Sequence, residues 1–297
     1  MQNVKYSGRL LLLTVLLVLL AVNGAGAQET GKYTAEQWVE QGKVWLNDPT
    51  RQDISLYAFN RAIALDPNYA EAYLSRGKVQ WLRGQKEQAL ADYDETLRLD
   101  GKNGEAYYRR AILNAERGKI EAALEDVNKA IALYPTYQDV YLLRAYLNLY
   151  KQDRYQQAVD DYTRLVAMRP DDAQIYADRA MAYNKLQNNE LALVDINKAI
   201  ALKPQEVHLY YSRSHIYGCL GRYKESAADS RFCLEKWQNN GSVCFNLAQA
   251  LELSGDQDEA IKYYELSLKN TGLMDDQCLA KIIARIRGDW EFSREWL

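Results

Sequence analysis

Five arginines in this chain recur with an aspartate sixteen or seventeen residues downstream: Arg76/Asp92, Arg110/Asp126, Arg144/Asp161, Arg179/Asp195 and Arg213/Asp229. A guanidinium and a carboxylate fit each other as two planar forks, so each couple can close as a bidentate, charge-assisted pair. Left unpaired, the same arginines would form a row able to grip an anionic ligand. An acid of opposite sign accompanies every one of them, which favours a structural ladder of partly buried ion pairs.

Other reactive side chains are sparse. The two histidines, His208 and His215, are seven residues apart. That puts them two turns apart on a helix, unlike the i, i+4 spacing of zinc-binding helices. The four cysteines, Cys219, Cys233, Cys244 and Cys278, show no CxxC spacing. Carboxylates are spread evenly, and no glycine-rich phosphate loop or nucleophile elbow occurs. No catalytic constellation, metal site or cofactor is therefore expected. A net charge of −3 offers no basic stripe for nucleic acid.

The elements that position these residues announce themselves by repetition. "NRAIALDPNY" begins at Asn60, "NKAIALYPTY" at Asn128 and "NKAIALKPQE" at Asn197, separated by 68 and 69 residues. Pro67, Pro135, Pro170 and Pro204 each follow such a run or its variant, where proline ends a helix. Gly84 and Gly118 are 34 apart, as are Gly221 and Gly255, where glycine closes a helix in the left-handed conformation. Between these marks apolar and small residues fall at three- and four-residue spacing. Each unit of about 34 residues is thus two antiparallel helices.

The pattern resembles the tetratricopeptide repeat family, with an aromatic, a small residue four later, then a small residue, an aromatic, a small residue and a proline in the second helix. One unit reads Tyr107, Ala111, Ala123, Val127, Ala130, Pro135, and another Tyr176, Ala180, Tyr183, Ala192, Ile196, Ala199, Pro204. The resemblance implies an all-α, right-handed α-solenoid over residues 28–274, with about seven repeats: 35–69, 70–103, 104–137, 138–172, 173–206, 207–240 and 241–274. Residues 275–297 resemble the extra helix that closes such arrays, followed by the aromatic tail "DWEFSREWL". A 34-residue pair is too small to hold a core alone, so the units must stack. The first unit (Gln41, Ala58) and the last (Leu247, Tyr263) lack the Arg/Asp couple, as ends of an array would. Cys233 and Cys244 fall level across one turn, which leaves two readings: a disulfide, or two small buried residues.

In such stacks the first helices line the inner side. The stripe they leave open here holds Lys78, Trp81, Tyr108, Arg109, Ile112, Leu142, Tyr146, Tyr150, Met181, Tyr211, His215, Phe245 and Gln249. A solvated face would be mostly charged, whereas this one is rich in tyrosine and aliphatic groups. It predicts a groove for a protein or peptide segment. The alternative is a carbohydrate or cell-wall ligand stacked on the tyrosines. Leu74, Lys78, Arg109, Asp139 and Leu143 occupy the places where some family members clamp a C-terminal carboxylate with lysine and asparagine, and most of them depart from that pattern.

The first 27 residues read as a cleaved export signal: Lys5 and Arg9, the apolar run Leu10–Val22, and "AGA" at Ala25–Ala27. Thirteen apolar residues are too few to span a bilayer. The expectation is an exported, non-catalytic interaction scaffold, periplasmic or secreted, with no membrane span in the mature chain.

Overall fold

The computed structural model describes residues 33–271 together with 282, 284, 286 and 287. Among the described residues the regular elements are fourteen helices, with no strand. Their packing forms two compact units, one ending at Val140 and the other beginning at Tyr141.

The first unit contains α1 (Ala35–Val44), α2 (Gln52–Leu65), α3 (Ala70–Leu82), α4 (Lys86–Leu99), α5 (Gly104–Glu116) and α6 (Ile120–Leu133). Helix α7 (Gln138–Tyr150) starts at its end. Each odd helix pairs with the next as an antiparallel hairpin, hairpins stack in chain order, and α1 also touches α3. The second unit continues with α8 (Tyr155–Met168), α9 (Ala173–Lys185), α10 (Asn189–Leu202), α11 (Val207–Cys219), α12 (Tyr223–Lys236), α13 (Gly241–Ser254) and α14 (Gln257–Thr271). There too consecutive helices pack, and the first helices α9, α11 and α13 touch one another in order. They form a wall.

The repeated letters are the core. Ala111, Ala123, Val127 and Ala130 are buried in the first unit, and Tyr176, Ala180, Ala192, Ile196 and Ala199 in the second. Small residues let the helices of a hairpin approach. A Cβ on Gly77 would meet the Tyr93 ring at 2.7 Å.

Turns follow one recipe. Gly84, Gly118, Gly221 and Gly255 take φ between +71° and +93°. The amide after each donates five residues back, as in Gln85 N to Gln80 O at 2.8 Å and Arg222 N to Tyr217 O at 2.9 Å, the bond that closes a Schellman motif. Asp153 (φ +52°) and Gln187 (φ +62°) hold the same place without glycine. At the second-helix ends, Asp66, Tyr134, Arg169 and Lys203 are turned out of helical geometry. The proline that follows each disfavours the helical conformation of its predecessor.

Ile286 is buried against Leu247, Leu251, Ile261 and Tyr264, with Ile282 packed beside it. The expected export signal, Cys278 and the aromatic tail lie outside the described residues.

Candidate functional site

The Arg/Asp couples are closed in all five places. Arg Nε and Nη2 donate to the two carboxylate oxygens at 2.7–2.8 Å in every pair. Each pair is partly buried, and the burial is shared unevenly, with the arginine keeping more exposure than its aspartate. Asp92, Asp126, Asp161, Asp195 and Asp229 are all buried, none more than 7% exposed. The reason lies in side-chain length. Each aspartate is short and sits among buried neighbours of the second helix, as Asp92 does between Ala89 and Tyr93 and Asp195 between Ala192 and Ile196. The long arginine stem comes in from the first helix and leaves part of its head in water. The Asp161 side chain is 2% exposed, and its Arg144 partner 24%. Asp92, Asp126, Asp161, Asp195 and Asp229 therefore belong to the core, out of reach of a ligand.

Hydrogen bonding to the aspartate raises each arginine pKa against the opposing effect of burial. The third donor reaches backward. Nη1 of Arg76, Arg110, Arg179 and Arg213 donates to Asn60, Asp94, Thr163 and Asn197, each sixteen residues upstream on the preceding hairpin's second helix. The guanidinium also lies over the tyrosine three residues before it, 5.2–5.8 Å from the ring centre. The arginines are thus occupied on every side and do not form an anion-binding row. Sequence reasoning missed the backward link, although the asparagine that opens the recurrent decapeptide was its signal.

The expected groove residues behave differently in the two units. In the first, they close on one another. Lys78 Nζ lies 2.8 Å from Glu105, and Arg109 bonds the same carboxylate at 3.2 Å. Burial pushes the Glu105 carboxyl upward, but the Lys78 and Arg109 charges outweigh it and hold it below its usual value. Arg109 also sits over Trp81 and Tyr108, 5.8 and 5.9 Å from the ring centres. Tyr108 in turn meets Tyr137 edge-on at 5.1 Å. Ile112 is half-buried, and Leu74 is buried in the core rather than on the wall.

In the second unit the wall stays open. Tyr146, Tyr150 and Met181 are 46%, 42% and 36% exposed, while Leu142 is half-buried. An apolar cleft of about 250 Å³ lies between α9 and α11, lined by Ala177, Met181, Asn184, Tyr211, His215 and Ile216 among others. A neighbouring cleft of about 230 Å³ lies between α11 and α13, with His215, Cys219, Asn246, Gln249 and Leu253 on its sides. His215 belongs to both. Desolvation first, and the Lys185 charge second, lower its pKa. Phe245 is half-buried and meets Tyr264 edge-on at 5.7 Å.

Cys233 and Cys244 are both free and buried, which corrects the disulfide reading. The Cys233 thiol turns to the Val207 carbonyl at 3.6 Å instead, and burial pushes its pKa up to about 12. It is a small core residue. Cys219 is exposed, with its sulfur 3.8 Å from His215 Nδ1. Among the described residues no group of three or more His, Cys, Asp and Glu side chains is placed to hold a metal ion, and no helix is long and apolar enough to cross a membrane.

Comparison with known proteins follows the same repeats. Models described as TPR repeat or tetratricopeptide repeat match residues 51–84, 83–137, 143–207 and 241–271, together more than half the chain. No curated protein matches. Among solved structures, a tetratricopeptide repeat protein from Parabacteroides merdae superposes with a TM-score of 0.56 at 17% identity, covering 85% of this chain and 98% of its own. YrrB, described as a TPR protein with an unusual peptide-binding site, gives 0.54 at 18% identity over 60% of this chain and 91% of its own. PilF of Pseudomonas aeruginosa gives 0.56 at 14% identity over 69% and 91%.

Proposed function

The chain belongs to the tetratricopeptide repeat family, and from that premise we propose that it is a non-catalytic scaffold holding an extended peptide or protein segment outside the cytoplasm. The segment lies along the first-helix wall of the second unit. One observation carries the reading: Tyr146, Tyr150 and Met181 remain exposed on the first helices, and Met181 lines an apolar cleft together with Tyr211 and Ile216. Exposed tyrosine and aliphatic surface around a cleft is what binding hot spots are made of. YrrB, with its peptide-binding site, supplies a precedent for the fold in this role. Export rests on the basic, apolar and small-residue succession of residues 1–27.

Photo-crosslinking in living cells tests both parts. A benzoylphenylalanine at Tyr146 or Tyr211 is expected to give a discrete protein adduct, and one at Val194 none. Val194 is 65% exposed on a second helix, away from the wall. Equal adducts from all three positions would remove the wall from consideration. Residues 1–27 fused to a phosphatase that folds only in an oxidising compartment are expected to yield active enzyme, and an inactive fusion would refute export.

A further inference from the structure

Tyr146 and Tyr150 stand one turn apart on α7, their rings 5.0 Å apart and tilted by 42°. The Tyr150 hydroxyl donates to Asp178 Oδ1 at 3.3 Å, and Gln174 Nε2 donates to the same oxygen at 3.0 Å. Both donors are neutral. Among the described residues Asp178 has no lysine or arginine within ion-pair distance, unlike the five ladder aspartates. The titratable groups whose charges it feels are Asp172 and His208, and His208 already lies 3.5 Å from Glu206. Burial, the largest effect, holds the Asp178 carboxyl above its ordinary value. Buried Tyr162 lies near enough for its hydroxyl to feel the Asp178 charge.

The two tyrosines differ from those of the ladder. Tyr73, Tyr107, Tyr141, Tyr176 and Tyr210 each carry an arginine of their own chain over the ring. No cation of the described residues lies over Tyr146 or Tyr150. Ring faces and a partly buried carboxylate both attract positive charge, and here they converge on one corner that the described residues leave without a lysine or arginine. The bonds from Tyr150 and Gln174 hold the Asp178 carboxylate in place before a partner arrives, which lowers the ordering cost of binding.

We propose that this corner receives a lysine or arginine side chain of the bound segment, its stem lying on Tyr146 and Tyr150 and its charged head bonding Asp178. The proposal rests on the peptide-groove reading and specifies its ligand: an extended segment with a basic residue at one fixed position.

Random dodecapeptides displayed on phage, selected on the full chain and in parallel on Asp178→Asn, test it. Selection on the wild type is expected to enrich lysine or arginine at one position, and selection on Asp178→Asn to lose that preference while still recovering peptides. In fluorescence anisotropy, replacing the basic residue of a selected peptide by norleucine is expected to weaken binding roughly tenfold on the wild type, as loss of one charge-assisted bond implies. On Asp178→Asn the same replacement is expected to change little. Peptides lacking a basic residue, or a preference unaltered by Asp178→Asn, would overturn this inference and leave the groove standing. Failure to select any peptide would overturn both. Thermal unfolding separates a structural role: Asp178→Asn removes a charge that partial burial disfavours, so its Tm is expected to hold or rise, and a fall would count against the proposal.

Discussion

At Arg144 one side chain meets three demands at once: a bidentate bond to Asp161, a place over the Tyr141 ring, and the level pairing of α7 with α8. Its hairpin carries an extra residue in the turn, and the spacing to aspartate lengthens from 16 to 17 to match. The contact is kept and the count is not, which marks the pair as the constraint that fixes register. Replacing Arg144 by leucine leaves a carboxylate with almost no access to water and no guanidinium. Arg144→Leu is expected to destabilise the protein by about 3–5 kcal/mol, read from urea unfolding. The double variant Arg144→Leu/Asp161→Leu should recover most of that loss, because the stranded charge is what costs free energy. A single variant as stable as the wild type would mean that water reaches Asp161 after all. The couples were legible in the sequence because both partners keep a fixed spacing. The uneven burial within each pair was not, since spacing gives the level of a side chain and not its depth. Their backward hydrogen bond was only half visible, because Asn60 and Asn197 open the recurrent decapeptide while Asp94 and Thr163 hold the same place with other residue types.

Elements end by a similar division between place and letter. Prolines and four glycines made most hairpin boundaries readable, yet Gln187 occupies the left-handed position between α9 and α10 without being glycine. What forces it there is the closing bond from Asn188 N to Tyr183 O at 2.9 Å, a property of the hairpin and not of glutamine. An L-residue in that conformation is strained by about 1–2 kcal/mol, from which the greater unfolded-state freedom of glycine must be subtracted. Gln187→Gly should therefore stabilise the protein by about 0.5–1 kcal/mol, seen as a higher urea midpoint at unchanged slope. No gain would show that the glutamine side chain offsets its own backbone strain. Asp153 is a poorer candidate, since aspartate visits this region more readily. Glycines inside helices need separate treatment. Gly77 faces the buried Tyr93 ring, which has nowhere to go, whereas Gly104 faces Tyr134, whose ring is half-exposed and free to swing away.

The whole chain tests whether a repeat is a unit of stability or only of sequence. Wall residues chosen by repeat position split into a self-neutralised set around Glu105 and an open set around Tyr146, Met181 and Tyr211. Position alone could not separate them, because Glu105 and Asp178 act through geometry that spacing does not encode. The core, by contrast, was legible almost letter by letter, and for a physical reason. Tyr176, Ile196 and Ile200 of one hairpin share a buried cluster with Leu209 and Ile216 of the next, and Val166 of the previous one packs against it. A hairpin taken alone exposes those faces and falls below the roughly 40 residues at which a core usually sustains itself. Residues 173–206 made as a separate peptide are expected to show little helix by circular dichroism. Excising the same residues from the full chain gives a different outcome, because the excision joins like to like. It places Thr163 sixteen residues before Arg213 in the new register, the relation it now holds to Arg179. The shortened chain should fold cooperatively with a lower Tm, as nearest-neighbour stacking requires. A folded single hairpin, or a shortened chain that is unfolded, would mean that stability does not reside in the joints between repeats.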